Sequence, residues 1–309
     1  MNDEEKVNLE LEEKILWQEV RQSTGAERAH ALTGLSKILW DRYKFKESLA
    51  FYESARDLYI DAGRENYLDE LTDVNIGIMH NFDMLDRPRE AAEAAGEVIA
   101  LYKETDHPML GELLRDQGRY WFSAGEYEKS LALHLEGIEI IDVDQTEIAR
   151  GIDLLNVAMA RHRLLQYEEA IEGFKQAIAV FKKEREPRWV SKCHGELAEI
   201  YYALKMPDEL EEWARKALDY AELTGNTRWE YWLNFYIGFA RKLKGEIESA
   251  EEYLAKAKYQ VVQFGDPEWD ALVKIEKEIA GIDALRGRVS QAEEILRRVA
   301  TIEETLLAS

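Results

Sequence analysis

One spacing constrains this chain more than any other. A turn signal recurs at Tyr43, Asp86, Gly125, Leu165, Lys205, Gly245 and Gly287, in steps of 43, 39, 40, 40, 40 and 42 residues. Each is followed by a bulky residue or proline and, three places on, by a small or apolar one: Phe45/Ser48, Pro88/Ala91, Tyr127/Ser130, Tyr167/Ala170, Pro207/Leu210, Ile247/Ala250 and Val289/Ala292. The unit is clearest between Leu110 and Asp142. Leu114, Gln117, Gly118 and Trp121 fall on one stripe of a helix, and Gly125 sits where a helix end wants a left-handed residue. Tyr127, Ser130, Leu131, His134 and Gly137 form the stripe of a second helix. Small Gly118, Ser130 and Gly137 let the two helices approach, with Trp121 and Tyr127 filling the space around them. A lone hairpin of this kind cannot bury its stripes, so neighbours must stack on it.

Seven such hairpins are predicted, at about Glu27–Ala62, Tyr67–Glu104, Met109–Asp142, Ile148–Lys183, Trp189–Leu223, Arg228–Phe264 and Asp270–Ala300. An amphipathic helix over residues 3 to about 22 precedes them, with Val7, Leu11, Ile15, Leu16 and Val20 turned inward. The expected organisation is a capping helix in residues 1–26 and one continuous solenoid over 27–309. Loops are expected at Gly63, Thr105–Pro108, Asp142–Thr146, Glu184–Pro187, Gly225 and Gly265–Pro267. Pro88 and Pro207 fall in the first turns of predicted helices, where a missing N–H costs nothing, and Pro108, Pro187 and Pro267 fall between hairpins. Residues Thr305 to Ser309 are expected to fray.

The pattern Gly118-Gly125-Tyr127-Ser130-His134-Gly137, and Ala158-Leu165-Tyr167-Ala170-Phe174-Ala177 after it, resembles the tetratricopeptide repeat family over roughly Glu27 to the C-terminus. The period is longer than the family's usual ~34 residues, and Leu32, Leu114 or Leu154 stands where the family has tryptophan. The longer period is similar to the ~40-residue type of bacterial peptide receptors, MalT-like regulators and scaffold proteins. The resemblance implies an all-α, right-handed superhelical solenoid that binds a protein or peptide in its concave groove.

Composition narrows the partners. Forty basic against 62 acidic residues give a net charge of −22, which repels phosphate backbones and disfavours direct nucleic-acid binding. A single cysteine, Cys193, permits no internal disulfide and suits a reducing cytoplasm. The acidic N-terminus lacks the order of a signal peptide, and no apolar run approaches a membrane span. The six histidines, His30, His80, His107, His134, His162 and His194, show no metal-binding spacing, no glycine-rich phosphate loop appears, and neighbouring Cys193 and His194 point about 100° apart on a helix. No catalytic site, metal or cofactor is predicted.

Counting the family's small residue as position 8, positions 2, 5, 6, 9, 12 and 13 of each first helix face the groove. Arg115, Arg119, Asn156, Arg163 and Lys192 are then expected to converge as a clamp for an extended peptide, cations for a carboxylate and amides for backbone, with Phe122 and Tyr202 in support. Some family members hold a C-terminal carboxylate at positions 5 and 9, then 6, then 2 and 6 of three successive repeats. Those positions here are Arg115, Arg119, Asn156, Lys192 and Glu196, the last of reversed charge. The alternative is that these cations pair with Asp116, Glu196 and Glu199 on neighbouring helices. Trp232, Phe235 and Tyr236 of the sixth hairpin form a candidate aromatic docking surface, or else pack on the seventh. Alternative functions are a peptide-sensing regulator without its own DNA-binding domain, and an acidic decoy that binds a basic, nucleic-acid-binding protein through the convex face.

Overall fold

The computed structural model describes residues 3–105, 107–140, 146–225, 229–263 and 268–308, the side chains of 3–9, 105 and 308 excepted. These are helical throughout, with short turns and no strand among them. They fall into two compact units. The first, residues 1–145, holds α1 (Asp3–Gln22) and the hairpins α2 (Gly25–Asp41)/α3 (Phe45–Asp61), α4 (Leu68–Met84)/α5 (Pro88–Thr105) and α6 (Leu110–Ser123)/α7 (Tyr127–Glu139). A 3-10 turn at Arg64–Asn66 links α3 to α4. The second, residues 146–309, holds α8 (Glu147–Arg163)/α9 (Tyr167–Lys183), α10 (Pro187–Ala203)/α11 (Pro207–Thr224), α12 (Glu230–Leu243)/α13 (Ile247–Gln263) and α14 (Trp269–Leu285)/α15 (Val289–Ala308). Within each unit a helix packs on its hairpin partner and on the first helix of the next hairpin, the arrangement of a helical repeat.

The same closure ends the first helix of every hairpin. At all seven predicted turn positions φ is left-handed, between 54° and 78°. The Gly125 N–H donates to the Phe122 carbonyl at 3.0 Å and the Glu126 N–H to the Trp121 carbonyl at 2.9 Å, which satisfies carbonyls the helix leaves open. The identical pair closes Tyr43 and Lys44 onto Trp40 and Leu39, and Leu165 and Gln166 onto His162 and Arg161. The small or apolar residue five places later, Ser48, Ala91, Ser130, Ala170, Leu210, Ala250 or Ala292, is buried in every case. The helices are close there: a Cβ on Gly118 would lie 3.0 Å from the His134 ring, and one on Gly137 would lie 2.8 Å from Arg115 Cγ.

Several expectations need correction. Leu16 and Val20 of α1 pack on the first unit's core, but Leu11 and Ile15 are exposed, because α1 has a neighbour along one face only. The side chain of Val7 lies outside the described residues, as do the loop at 265–267 and all of the 142–146 loop but Thr146. Pro187 is the first residue of α10 and not part of a loop. Helix α15 is assigned through Ala308, and Ser309 lies outside the described residues. None of the described helices is long and apolar enough to cross a membrane.

His134 and His194 are buried in the two units. Burial, with Arg115 and Arg119 nearby, pulls the His134 imidazole down to about 4, and burial does the same to His194 beside Trp213 and Tyr220. Both rings are therefore neutral in the folded chain at pH 5 and charged in the unfolded one. The stability this contributes is complete above about pH 6.5 and is lost as the pH falls toward 4, by up to about 3 kcal/mol per ring. Replacing both with leucine is expected to flatten the fall in melting temperature between pH 6.5 and 4; an unchanged slope would contradict the burial argument. A Cβ on Gly125 meets nothing within 4 Å, so Gly125→Ala is expected to cost about 1 kcal/mol through the left-handed backbone alone. Leu165→Gly should not destabilise. Urea unfolding of the two variants checks both signs.

Candidate functional site

The second unit carries a recess of about 690 Å³ between α10 and α12, reached also by the end of α8 and by α14. Its walls are aromatic. Trp189 in the first turn of α10, Trp229 just before α12, and Trp232 and Tyr236 along α12 all line it, over a floor that includes Ala221 and Leu233. Trp189 stacks on Phe181 at 5.8 Å between ring centres, and Trp232 stacks on Tyr236 at 6.0 Å, so packing fixes these two rings. Trp229 is half exposed, 49% of its surface facing solvent.

Charge is distributed unevenly around these rings. Arg163, Arg188, Lys192 and Lys274 line the recess against Glu186, Glu196 and Glu199. Arg163 is engaged by the acids: its guanidinium lies 3.4 Å from Glu199 Oε2, 3.7 Å from Glu196 Oε2 and 3.0 Å from His162 Nδ1. The carboxylates of Glu196 and Glu199 and the ring of His162 place ligand atoms within 4.8 Å of one another, a spacing that suits a metal ion. Arg163 already supplies the positive charge there, so the cluster is a closed polar support for the recess wall. Burial, followed by the charges of Glu199 and Glu196, holds the Tyr236 hydroxyl well above its ordinary range and therefore protonated. Lys192 and Lys274 are different. Their ammonium groups lie over ring faces, Lys192 5.7 Å from the Trp189 centre and Lys274 5.0 Å from that of Trp232, with no acid partner among the described residues.

The sequence-derived site divides. Arg163, Lys192, Trp232 and Tyr236 line the recess. Asn156 is half-buried on α8. Tyr202 packs on Phe239, Tyr236 and Phe235 at 4.6 to 5.5 Å and braces the wall from behind. Phe235 is a correction: it is wholly buried in the core and offers no surface. The first unit holds Arg115, Arg119 and Phe122. Arg115 is a second correction, because its guanidinium donates to the Gly137 carbonyl at 3.0 Å and so serves its own hairpin. Arg119 lies over the Tyr120 ring and within 3.5 Å of Asp116 and 3.8 Å of Asp83, the acid-paired alternative. Phe122 packs edge-on against Tyr127. Sequence reasoning missed Arg188, Trp189, Trp229 and Lys274. The run Pro187-Arg188-Trp189 at a predicted helix start was the signal available for two of them.

Cys193 is wholly buried, and burial pushes its thiol up to about 12, which removes it as a nucleophile at neutral pH. Asn234, also buried, donates to Gln260 Oε1 at 2.8 Å and joins α12 to α13.

Residues 152–222 match the tetratricopeptide repeat family. No curated protein matches the sequence. Among solved structures, the chain is similar to a signal transduction ATPase of the STAND class with a tetratricopeptide repeat sensor from Pyrococcus horikoshii, at 18% identity and a TM-score of 0.69. That likeness covers 96% of this chain and 44% of the other, so the chain spans under half of that protein's length. RapI in its apo form matches at 14% identity and a TM-score of 0.61, over 91% of this chain and 99% of that one. Aspartyl phosphate phosphatase F from Bacillus subtilis matches at 15% identity and 0.58, over 89% and 70%. At these identities the likeness is one of fold.

Unpaired lysines beside the recess rings make the local field positive in a chain of charge −22. Iodide should therefore quench the recess tryptophans more strongly than caesium at low salt. Lys192→Glu with Lys274→Glu should cut iodide quenching roughly twofold. Stern–Volmer titration reads this, and equal quenching in both proteins would remove the field argument.

Proposed function

We propose that this chain, whose residues 152–222 match the tetratricopeptide repeat family, is a non-enzymatic binder that holds a peptide or partner segment in the recess between α10 and α12. One observation carries the reading. Three tryptophans and a tyrosine line a single recess beside two lysines without acid partners, in an otherwise acidic chain. Trp229 and Trp232 leave apolar area in contact with water, which is unfavourable unless an occupant covers it. Tryptophan, tyrosine and arginine are also the residues that carry most of the energy in known interfaces, when set in a pocket ringed by polar groups. The recess volume lies in the range that takes several side chains of a bound segment or a small ligand.

The recess is braced for this task. Phe181 lies behind Trp189 and Tyr202 lies behind Tyr236, so the rings need little ordering when an occupant arrives, and the entropy cost of binding is correspondingly small. The polar support of the wall is satisfied internally through Arg163, Glu196 and His162, and makes no demand on the occupant. The STAND-class neighbour is described as having a tetratricopeptide repeat sensor, which is compatible with ligand binding on such repeats.

Selection from a random display library of peptides tests the reading. Binders to the native protein are expected, and Trp232→Ala is expected to weaken the selected peptides at least tenfold in isothermal titration, in keeping with the loss of a central aromatic contact. Failure to select any binder, or binders indifferent to Trp232→Ala, would defeat it.

A further inference from the structure

Resting on that binding reading, we infer that the occupant is a helical segment and that Gly195 is the notch on α10 that receives one of its large apolar side chains. Gly195 stands at the middle of α10, where glycine is the least favourable residue after proline, yet no described residue requires it there. A Cβ at Gly195 would meet no atom within 4 Å, and its backbone lies outside the left-handed region. Every other helical glycine with such a backbone, among the described residues, is explained by packing. An atom of another helix lies 3.3 Å or less from the place its Cβ would take.

Those packed glycines show what fills such a place. Gly34 receives Leu16 of α1 at 3.0 Å, Gly151 receives Phe181 of α9 at 2.7 Å and Gly238 receives Leu254 of α13 at 2.8 Å. Each is a large side chain carried by a neighbouring helix and seated where a side chain is missing, so that the two helices approach closely. At Gly195 the same notch opens into the recess, bordered on its own helix by Ser191, Lys192 and Glu199, and no described helix covers it. Trp189 precedes it by six residues, about 9 Å along the axis, and Trp232 of α12 lines the same recess. Two to three turns of an amphipathic helix span roughly that distance and present one apolar stripe to notch and rings together. An extended segment turns every second side chain away from the wall.

Peptides selected by display against the full chain are the probe. They are titrated calorimetrically against the native, Gly195→Ala, Gly195→Leu and Trp232→Ala proteins, and the melting temperature of each protein is measured. Gly195→Ala is expected to raise the melting temperature by about 2 °C, because alanine favours the helix and meets no obstacle. The same change is expected to weaken the peptides about fivefold, and Gly195→Leu about fiftyfold, as the notch is filled. In circular dichroism the complex should show more helical signal than the sum of its parts. A lower melting temperature in Gly195→Ala would mean that the glycine serves the fold, and would overturn the notch. Binding lost in Trp232→Ala but unchanged in both Gly195 variants would overturn the notch and leave the recess reading standing. Peptides that are sensitive to Gly195→Leu yet gain no helical signal would overturn the helical occupant. Failure to select any binder would overturn both this inference and the reading it rests on.

Discussion

The fold depends on one backbone event, the left-handed residue that ends the first helix of each hairpin. Its two hydrogen bonds use backbone atoms only, so the closure does not require a particular side chain, and Tyr43, Asp86, Leu165 and Lys205 perform it as Gly125, Gly245 and Gly287 do. A residue with a Cβ costs roughly 1 kcal/mol in that conformation. The cost is offset five residues later, where a small or apolar side chain is buried against the preceding helix in every repeat. Because the closure fixes where the second helix begins, it also fixes which stripe of that helix faces inward. The near-constant period of the chain is the sequence-level trace of this geometry.

The acidity of the chain has a structural use within the second unit. Glu211 of α11 is nearly inaccessible; burial alone would raise its pKa, but Arg241, Lys244 and Arg215 hold it at about 2. Glu276 of α14 is equally enclosed and meets Lys258 of α13 at 2.8 Å and Arg298 of α15 at 2.7 Å. A buried carboxylate with a missing partner would cost several kcal/mol, so these clusters hold only when their cations are committed to them. Lys192 and Lys274 take no part in such clusters; their ammonium groups lie over the Trp189 and Trp232 ring faces of the recess.

The repeat architecture was legible because periodicity, turn positions and buried small residues all describe the same backbone requirement. The groove positions were legible in part. Counting from the small residue found Arg163, Lys192, Trp232 and Tyr236, since a helix presents residues in fixed angular order. It failed at Arg115, where the absence of a Cβ on Gly137 opens a path for the side chain to cross the hairpin and reach a carbonyl. Phe235 escaped it as well, because Trp232, Tyr236, Tyr202 and Phe239 crowd around that ring and close it off from solvent. Trp189 lies one turn before the counted positions, and Lys274 belongs to the seventh hairpin, whose contribution depends on how it stacks on the sixth. Side-chain direction and inter-repeat packing are tertiary facts, and one sequence holds them only implicitly.

The aromatic and lysine side chains of the recess come from three consecutive hairpins, with Trp189 on α10, Trp232 on α12 and Lys274 on α14. Hairpins in such a stack meet only their immediate neighbours, and the small rotation from each to the next is the soft coordinate of the array. An occupant touching all three therefore acts as a strut across two joints at once, and the local twist of the stack becomes a quantity that ligand occupancy can set.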